Sequence, residues 1–163
     1  MQLEFDEFYR TSRDACLRAV MVSEADRPLA EELVAEAYTR AWTAWPAVRR
    51  HPAPAAWVVR TALNTRISWW RRRQREAAIV ATARSTATTV EDPTSDPQLL
   101  TAVRQLPLRQ REVIALRVFL DLDTRTTAAV LGIAQGTVTA HLARAVAALR
   151  EHLISVDHPE VRP

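Results

Sequence analysis

The 163-residue sequence contains only two glycines, Gly132 and Gly136. Glycine supplies the backbone conformations that tight hairpins and phosphate-cradling loops need, so the sequence leaves little room for either. Alanine, leucine, arginine and glutamate, which have high helix propensities, are abundant instead. With 48% hydrophobic residues, the chain can bury one medium core or two small ones. The sequence therefore predicts a fold that is almost entirely α-helical.

The same sequence offers little chemistry for catalysis or metal binding. Its single cysteine, Cys16, has no cysteine or histidine nearby at zinc-ligand spacing, and we expect it in a helix core. There is no glycine-rich phosphate loop and no convincing nucleophile paired with a base. We therefore expect no catalytic residues, metal or cofactor, and a protein that is not an enzyme.

The sequence also gives no sign of export or membrane insertion. Its beginning has no basic stretch followed by an apolar one, and no run approaches 18 consecutive apolar residues. We expect neither a signal peptide nor a membrane partner, and the cytoplasm as the compartment.

Charge is distributed unevenly along the chain. Residues 1–36 hold nine acidic side chains and four arginines, whereas residues 49–75 hold eight arginines and no acid. Eight like charges repel one another unless a polyanion or an acidic partner neutralises them. Nucleic acid is the partner that this pattern favours. The alternative for the cluster at 71–75 is a charged helix end that the helix dipole stabilises.

Two helices followed by a third are predicted in the first half of the chain. Residues 5–22 and 28–45 carry apolar positions at helical spacing, which indicates a helix hairpin. Prolines then forbid a continuous helix until a new pattern begins at Trp57. The expected buried stripe of the second helix is Val34, Tyr38, Ala41, Trp42 and Trp45, and that of the third is Trp57, Val59, Leu63, Ile67 and Trp70.

The second half predicts a connector and a helix-turn-helix. Residues 77–97 are rich in Thr, Ser, Pro and Asp, which is typical of a solvated linker that can span at most ~70 Å at ~3.5 Å per residue. One or two helices follow over 98–119, and another over 124–131 after Asp123 as N-cap. A turn at 132–134 precedes a long helix, Gln135–Leu153, with Val138, Leu142, Ala145, Val146 and Leu149 apolar. The predicted fold class is all-α: two small helical domains joined by a flexible linker, the second a helix-turn-helix.

Four segments, in this order, resemble the extracytoplasmic-function sigma factors of the sigma-70 family. Residues 30–42, AEELVAEAYTRAW, are similar to region 2.2 of that family, and residues 56–73, AWVVRTALNTRISWWRRR, to regions 2.3 and 2.4. LPLRQREVIALRVF and LGIAQGTVTAHLARAVAALR resemble region 4. The resemblance runs from Phe8 to Leu153. It implies a region 2 domain over 1–76, a linker over 77–97, a region 4 domain over 98–155 and a tail over 156–163.

The resemblance implies three partner surfaces, the first for core RNA polymerase. In the family the polar face of the region 2.2 helix binds the largest polymerase subunit, which corresponds here to Glu32, Glu36 and Arg40. Ala35 stands where a glutamine is usual. Whether an anti-sigma factor is a further partner is left open by the sequence.

The second implied surface binds the melted −10 element of promoter DNA. The loop before Trp57 holds a flipped base in such proteins, and cations with stacking surfaces bind single strands. For Trp69 and Trp70, which are bulkier than the family's usual residues, we favour core packing over base stacking. Ser68 stands where an acidic residue is common. The candidate −10 residues are Arg49, Arg50, His51, Arg60, Asn64, Arg71, Arg72 and Arg73.

The third implied surface is the helix that begins at Gln135, which should enter the major groove of the duplex −35 element. Lys and Arg are frequent in the family where Thr139 and His141 stand, and an acidic residue with Ile where Thr126 and Thr127 stand. The candidate −35 residues are Gln135, Thr137, Thr139, His141 and Arg144. We expect Val113, Leu116 and Phe119 in the core, and Arg109 and Arg111 against polymerase or DNA phosphate.

One rival remains from the sequence, a helix-turn-helix regulator that binds operators as a dimer. The final 50 residues alone suit that class, but residues 30–75 do not.

Overall fold

The computed structural model describes residues 1–77 and 96–157. Within them the secondary structure is helical and no strand is present, as the sequence predicts. The chain divides into two compact units, Met1–Val90 and Glu91–Pro163. The first contains α1 (Gln2–Met21), α2 (Arg27–Thr43), α3 (Trp45–Val48) and α4 (Pro54–Ala77), and the second α5 (Pro97–Gln105), α6 (Leu108–Ile114), a π-helical turn (Ala115–Phe119), α7 (Thr124–Leu131) and α8 (Gln135–Asp157).

In the first unit, α1, α2 and α4 pack against one another in every pairing. Asp26 caps α2, because its side chain accepts a hydrogen bond from the backbone N of Leu29 at 3.4 Å, and Pro28 fits the first turn. The predicted second helix ends at Thr43, and Trp45 opens α3 instead. Trp42 was expected on the buried stripe, but it is 42% exposed, and its ring makes a T-shaped contact with Phe5 at 5.0 Å between ring centroids.

A polar network lies within this core. The hydroxyl of Tyr38 donates to the sulfur of Cys16 at 3.4 Å and lies 2.7 Å from the hydroxyl of Ser12. Burial raises the pKa of the Cys16 thiol from 9.0 to about 11, and the hydrogen bonds to Tyr38 and Ser12 offset part of that rise. Burial also raises the pKa of Tyr38. Cys16 is therefore a neutral core residue, as the sequence predicts.

The buried stripe of α4 differs from the predicted one. Val58, Val59 and Ala62 are almost completely buried, whereas Trp70 is 58% exposed. The buried stripe runs through Val58, Ala62 and Thr65, so Trp69 continues it and Trp70 lies about 100° to its side. The expectation of core packing for Trp70 is therefore wrong, and Trp69 is only half-buried.

The second unit contains the helix cap at Asp123 and the glycine turn at Gly132 that the sequence predicts. Asp123 caps α7 by accepting a hydrogen bond from the backbone N of Thr126 at 2.6 Å, and this bond lowers the pKa of its carboxyl. Gly132 ends α7 with φ of 66°, the left-handed conformation that favours glycine. Helix α8 follows after two residues, which completes the helix-turn-helix.

The core of this unit follows the predicted pattern only in part. Val113 and Leu116 are buried, but Phe119, the last residue of the π-helical turn, is half-buried. On α8, Val138 and Ala145 are buried and Val146 is 36% exposed, so the core stripe there is narrower than expected.

Most of the predicted connector, residues 78–95, and part of the predicted tail, residues 158–163, lie outside the described residues. Helix α8 extends through the first two tail residues to Asp157. Among the described residues, no helix is long and apolar enough to cross a membrane, and no group of three potential metal ligands occurs.

Candidate polymerase and nucleic-acid interfaces

The predicted polymerase-binding residues share one face of α2. Residues 32, 36 and 40 are each four apart, so they lie on one side of the helix. Glu32 is exposed, and the Nε of Arg40 donates to Glu36 at 2.9 Å. This ion pair is largely exposed on both sides and contributes little to stability. The face is therefore free to bind a partner.

A pocket lies between α1 and α2, and none of the three predicted polymerase-binding residues lines it. Its walls come from α1 and α2 and are formed by Tyr9, Arg13, Leu17, Glu31, Val34, Ala35 and Tyr38. Ala35, which the family resemblance marks as a position where glutamine is usual, is one of these lining residues.

Two of the three loop residues predicted to hold a flipped base have partners within the protein. Arg49 donates to the carboxylate of Glu4 on α1 at 3.2 Å, a contact between residues 45 positions apart that sequence periodicity gives no means of finding. The backbone N of Ala53 donates to Nδ1 of His51 at 3.0 Å, which shapes the loop. Arg50 is exposed.

The arginines of α4 lie on more than one face. At ~100° per residue, Arg60, Asn64 and Arg71 lie within about 40° of one another. Arg60, Asn64 and the run 71–73 are all exposed. Because consecutive arginines are separated by ~100°, positions 71, 72 and 73 place positive charge around most of the helix end.

Sequence reasoning missed Arg66 and its partner. The Nε of Arg66 donates to Glu24 at 2.8 Å, and the other carboxylate oxygen of Glu24 accepts from the backbone N of Asp26 at 3.0 Å. This pair joins α4 to the loop between α1 and α2. Arg66 also borders an open pocket whose other walls are Glu24, Leu29, Leu33, Trp69, Trp70 and Arg73. The signal that could have found it is the spacing 66, 69, 70, 73, which puts two cations and two indoles on one helix face.

In the second unit the candidate −35 residues divide between two flanks of α8. Gln135 and Thr139 are four residues apart on one flank, and Thr137 and Arg144 are seven apart on the other. All four are exposed. His141 is half-buried at the edge of the core stripe, and its Nδ1 is buried without a hydrogen-bond partner among the described residues.

The two arginines of α6 also differ in their surroundings. Arg109 is exposed and donates to Glu112 at 2.9 Å, whereas Arg111 is half-buried. Arg109 is thus the better placed of the two to meet an external anion.

Comparison with known proteins assigns both units. The sequence profile of Sigma-70 region 2 matches residues 8–76, and that of Sigma-70, region 4 matches residues 97–149. An RNA polymerase sigma-E factor of Streptomyces coelicolor is 35% identical over 159 residues, which cover 95% of this chain and 89% of the relative. The chain belongs to the extracytoplasmic-function sigma factors of the sigma-70 family. It is therefore a transcription initiation factor, and the family is not a catalytic one.

Further relatives agree with this assignment. The RNA polymerase sigma-E factor of Streptomyces avermitilis is 36% identical over 159 residues, with 95% of this chain and 88% of the relative covered. Among solved structures, the sigma factor RpoE of Bartonella quintana, crystallised in complex with the anti-sigma factor NepR, matches with a TM-score of 0.76. The match covers 92% of this chain and 96% of that one at 24% identity, and it shows the shared fold.

The sigma-70 assignment also decides between the sequence-based alternatives. An operator-binding regulator would need only the helix-turn-helix of residues 97–149. The region 2 match over residues 8–76 has no place in that class, so the resemblance to extracytoplasmic-function sigma factors is confirmed and the rival is not supported.

Proposed function

We propose that two helices of the first unit bind different partners: α2, in the acidic part of the chain, binds polymerase, and the arginine-rich α4 binds DNA. The exposed face of α2, with Glu32, Glu36 and Arg40, binds core RNA polymerase. The observation that carries this proposal is the separation of charge: residues 1–36 are net negative and would repel DNA phosphate, whereas residues 49–75 hold no acid. A protein partner fits this acidic surface better than DNA does, and the protein partner of a sigma factor in transcription initiation is core RNA polymerase.

The −10 strand is bound by α4 and the loop before it. Arg60, Asn64 and Arg71 form one exposed face, and Arg72 and Arg73 extend the positive charge around the helix end. Arg50 is the loop residue that is open to the strand, while Arg49 must leave Glu4 to reach it and His51 supports the loop. Cations of this kind bind the backbone of single strands without reading its sequence.

Helix α8 reads the duplex −35 element from the major groove. The side chains that reach base edges in a helix-turn-helix are near the N-terminus of its second helix, which favours Gln135, Thr137 and Thr139 for that contact. Arg144 lies two turns further along and suits a phosphate contact. His141, at the edge of the core stripe, is the least accessible of the five candidates.

We further propose the boundaries 1–76 and 98–155 for the two domains, with 77–97 as linker and 156–163 as tail. The protein acts without catalysis of its own, and it acts in the cytoplasm because its partner there is RNA polymerase. An anti-sigma factor is a further partner in this proposal. The support for it is the Bartonella quintana relative, whose structure contains the anti-sigma factor NepR.

The decisive experiment is transcription in vitro with core polymerase, the purified chain and a library of random promoters. We expect transcripts from a subset of the library that shares two short sequence elements at fixed spacing. The same mixture without the chain is the control. If no promoter is enriched, or if the chain does not bind core polymerase in the absence of DNA, the proposal fails.

A further inference from the structure

The C-terminal half of α4 carries an aromatic and cationic stripe that the described contacts leave open. Arg66, Trp69, Trp70 and Arg73 follow one another at spacings of three, one and three, so they lie on one side of the helix. Trp70 is 58% exposed, which is unusual for so large an apolar side chain outside a binding surface. The four residues share a pocket with Glu24, Leu29 and Leu33.

Glu24 holds Arg66 in place through an ion pair. Glu24 has only 12% of its side chain exposed, and it accepts from the Nε of Arg66 at 2.8 Å. Its other oxygen is tied to the backbone of Asp26. A guanidinium has five N–H donors, so this contact fixes the orientation of Arg66 while leaving it able to bind an anion.

The stripe is distinct from the face already assigned to the −10 strand. At ~100° per residue, its centre lies about 150° around α4 from the face of Arg60, Asn64 and Arg71. Arg72 lies between the two. Successive arginines therefore form a cationic path from one face to the other, which a single strand of DNA can follow.

We propose that this pocket binds one unpaired nucleotide of single-stranded DNA, with its base stacked on Trp70 and its phosphate paired with Arg66 or Arg73. Exposed indoles flanked by arginines are the combination that single-strand sites use, because every base has a stacking face and every phosphate a charge. The one acid in the pocket, Glu24, is already paired with Arg66. The inference rests on the proposed function, to which it adds a second nucleotide site.

The test compares two single-stranded probes, labelled dT12 and a 12-unit abasic backbone with the same charge. Their affinities are measured by fluorescence anisotropy for the full chain, alone and in complex with core polymerase. We expect the wild type to prefer dT12 by about tenfold, since stacking one base on an aromatic side chain is worth roughly 5- to 100-fold. Trp70→Ala should reduce this preference to about twofold or less, and Trp70→Phe should restore most of it.

The matched control is Arg71→Ala, which removes a cation from the opposite face of the same helix. It should weaken binding of both probes equally and leave their ratio unchanged. Circular dichroism checks that each variant is folded, which is expected because Trp70 contributes little to the core.

Two results would overturn the proposed nucleotide site. The first is equal affinity of the wild type for both probes, with and without core polymerase. The second is a ratio of dT12 affinity to abasic-probe affinity that is unchanged in Trp70→Ala. An unchanged ratio combined with weaker core binding by Trp70→Ala would assign the stripe to a protein partner instead. Because the probes carry no promoter sequence, the ratio stays readable even if no promoter directs transcription. A failure of the proposed function is thereby separated from a failure of the pocket.

Discussion

The two long helices that we propose to bind DNA, α4 and α8, are almost equal in length, 24 and 23 residues, but they differ in chemistry. Six arginines lie on α4 and only two on α8. The exposed candidates at the start of α8 are neutral: Gln135, Thr137 and Thr139. Length and amphipathicity make both segments helices, and the polar residues then give each helix a different mode of binding.

The roles that we propose for the two helices account for this difference. A melted strand presents phosphates and unstacked bases, and these are bound by cations and aromatic rings. A duplex presents base edges in the major groove, where hydrogen bonds from side chains discriminate between base pairs. We therefore expect the first unit to supply affinity that depends on salt, and the second to supply sequence preference that depends on shape and hydrogen bonding.

The largest expected effect tests whether the acidic face of α2, rather than the arginine-rich α4, binds core polymerase. Reversing Glu32 and Glu36 to Arg should weaken binding to core polymerase by about 3 kcal/mol, more than a hundredfold, because like charges then face each other across the interface. The measurement is a titration of labelled chain with core polymerase. The control is Glu7→Arg with Asp14→Arg, which makes the same change in net charge on the exposed surface of α1. Equal loss in both double variants would refute a specific role for α2.

The next prediction compares how much the arginines of α4 and of α8 contribute to the salt dependence of promoter binding. Replacing Arg71, Arg72 and Arg73 with Ala should lower the slope of log affinity against log salt by about 2 to 3, at ~0.7 to 0.9 per lost phosphate contact. At 0.1 M salt this corresponds to roughly a hundredfold weaker promoter binding by the holoenzyme. Arg144→Ala on α8 should lower the slope by about 0.9 at most. If the slope of the triple variant does not change, the cluster binds polymerase or only solvent.

A third comparison uses alkaline pH, because all the tyrosines and the only cysteine belong to the first unit. Burial raises the pKa of Cys16 to about 11, so folding favours the neutral thiol. The stabilising contribution of the buried neutral thiol is therefore fully present below pH 9 and is lost as the pH rises through 11. Between pH 8 and 10.5 the first unit should lose about 2 kcal/mol.

Denaturant titrations can measure this loss, since all five tryptophans lie in the first unit and their fluorescence reports on it alone. The Cys16→Ala variant should lose correspondingly less stability over the same pH range. Circular dichroism should show the second unit unaffected, because its described residues contain no Cys, Tyr or Lys. An equal alkaline loss in Cys16→Ala would contradict the assignment to the thiol.

The smallest expected effect compares one buried threonine in each unit. Thr127 is completely buried and its hydroxyl has no hydrogen-bond partner among the described residues, whereas the hydroxyl of Thr65 donates to the carbonyl of Thr61 at 2.9 Å. Thr127→Val should raise the free energy of unfolding of the second unit by about 1 kcal/mol, because it removes an unsatisfied group at constant volume. Thr65→Val should not stabilise the first unit. Chemical denaturation of both variants decides, and a destabilised Thr127→Val would indicate an unseen partner for that hydroxyl.

Sequence reasoning succeeded where the cause is local. The cap at Asp123, the turn at Gly132 and the four-residue spacing of Glu32 and Glu36 depend only on neighbouring residues, and all three are present in the structure. It failed where the cause lies in packing: a helical period identifies apolar positions but does not show which apolar side of the helix packs against its neighbours. For that reason Trp42 and Trp70 were predicted to be buried.

The same limit applies to the candidate sites. The family resemblance identified the residues of α4 that form one face, but it gave no information on long-range pairs. The contacts of Arg49 with Glu4 and of Arg66 with Glu24 join residues more than 40 positions apart. The partial burial of His141 likewise depends on how α8 packs in its unit, which the period of the helix alone does not determine.

The π-helical turn at Ala115–Phe119 has a consequence for changes in chain length. The backbone N of Leu120 donates to the carbonyl of Ala115 at 3.2 Å, so this turn holds one residue more than an α-helical turn. Deleting a residue here would return the segment to α-helical pairing and leave the residues on either side in register. The same deletion in α7 would rotate the later side chains of that helix by ~100°. We therefore expect region 4 to tolerate the loss of one residue between α6 and α7 with the orientation of α8 unchanged.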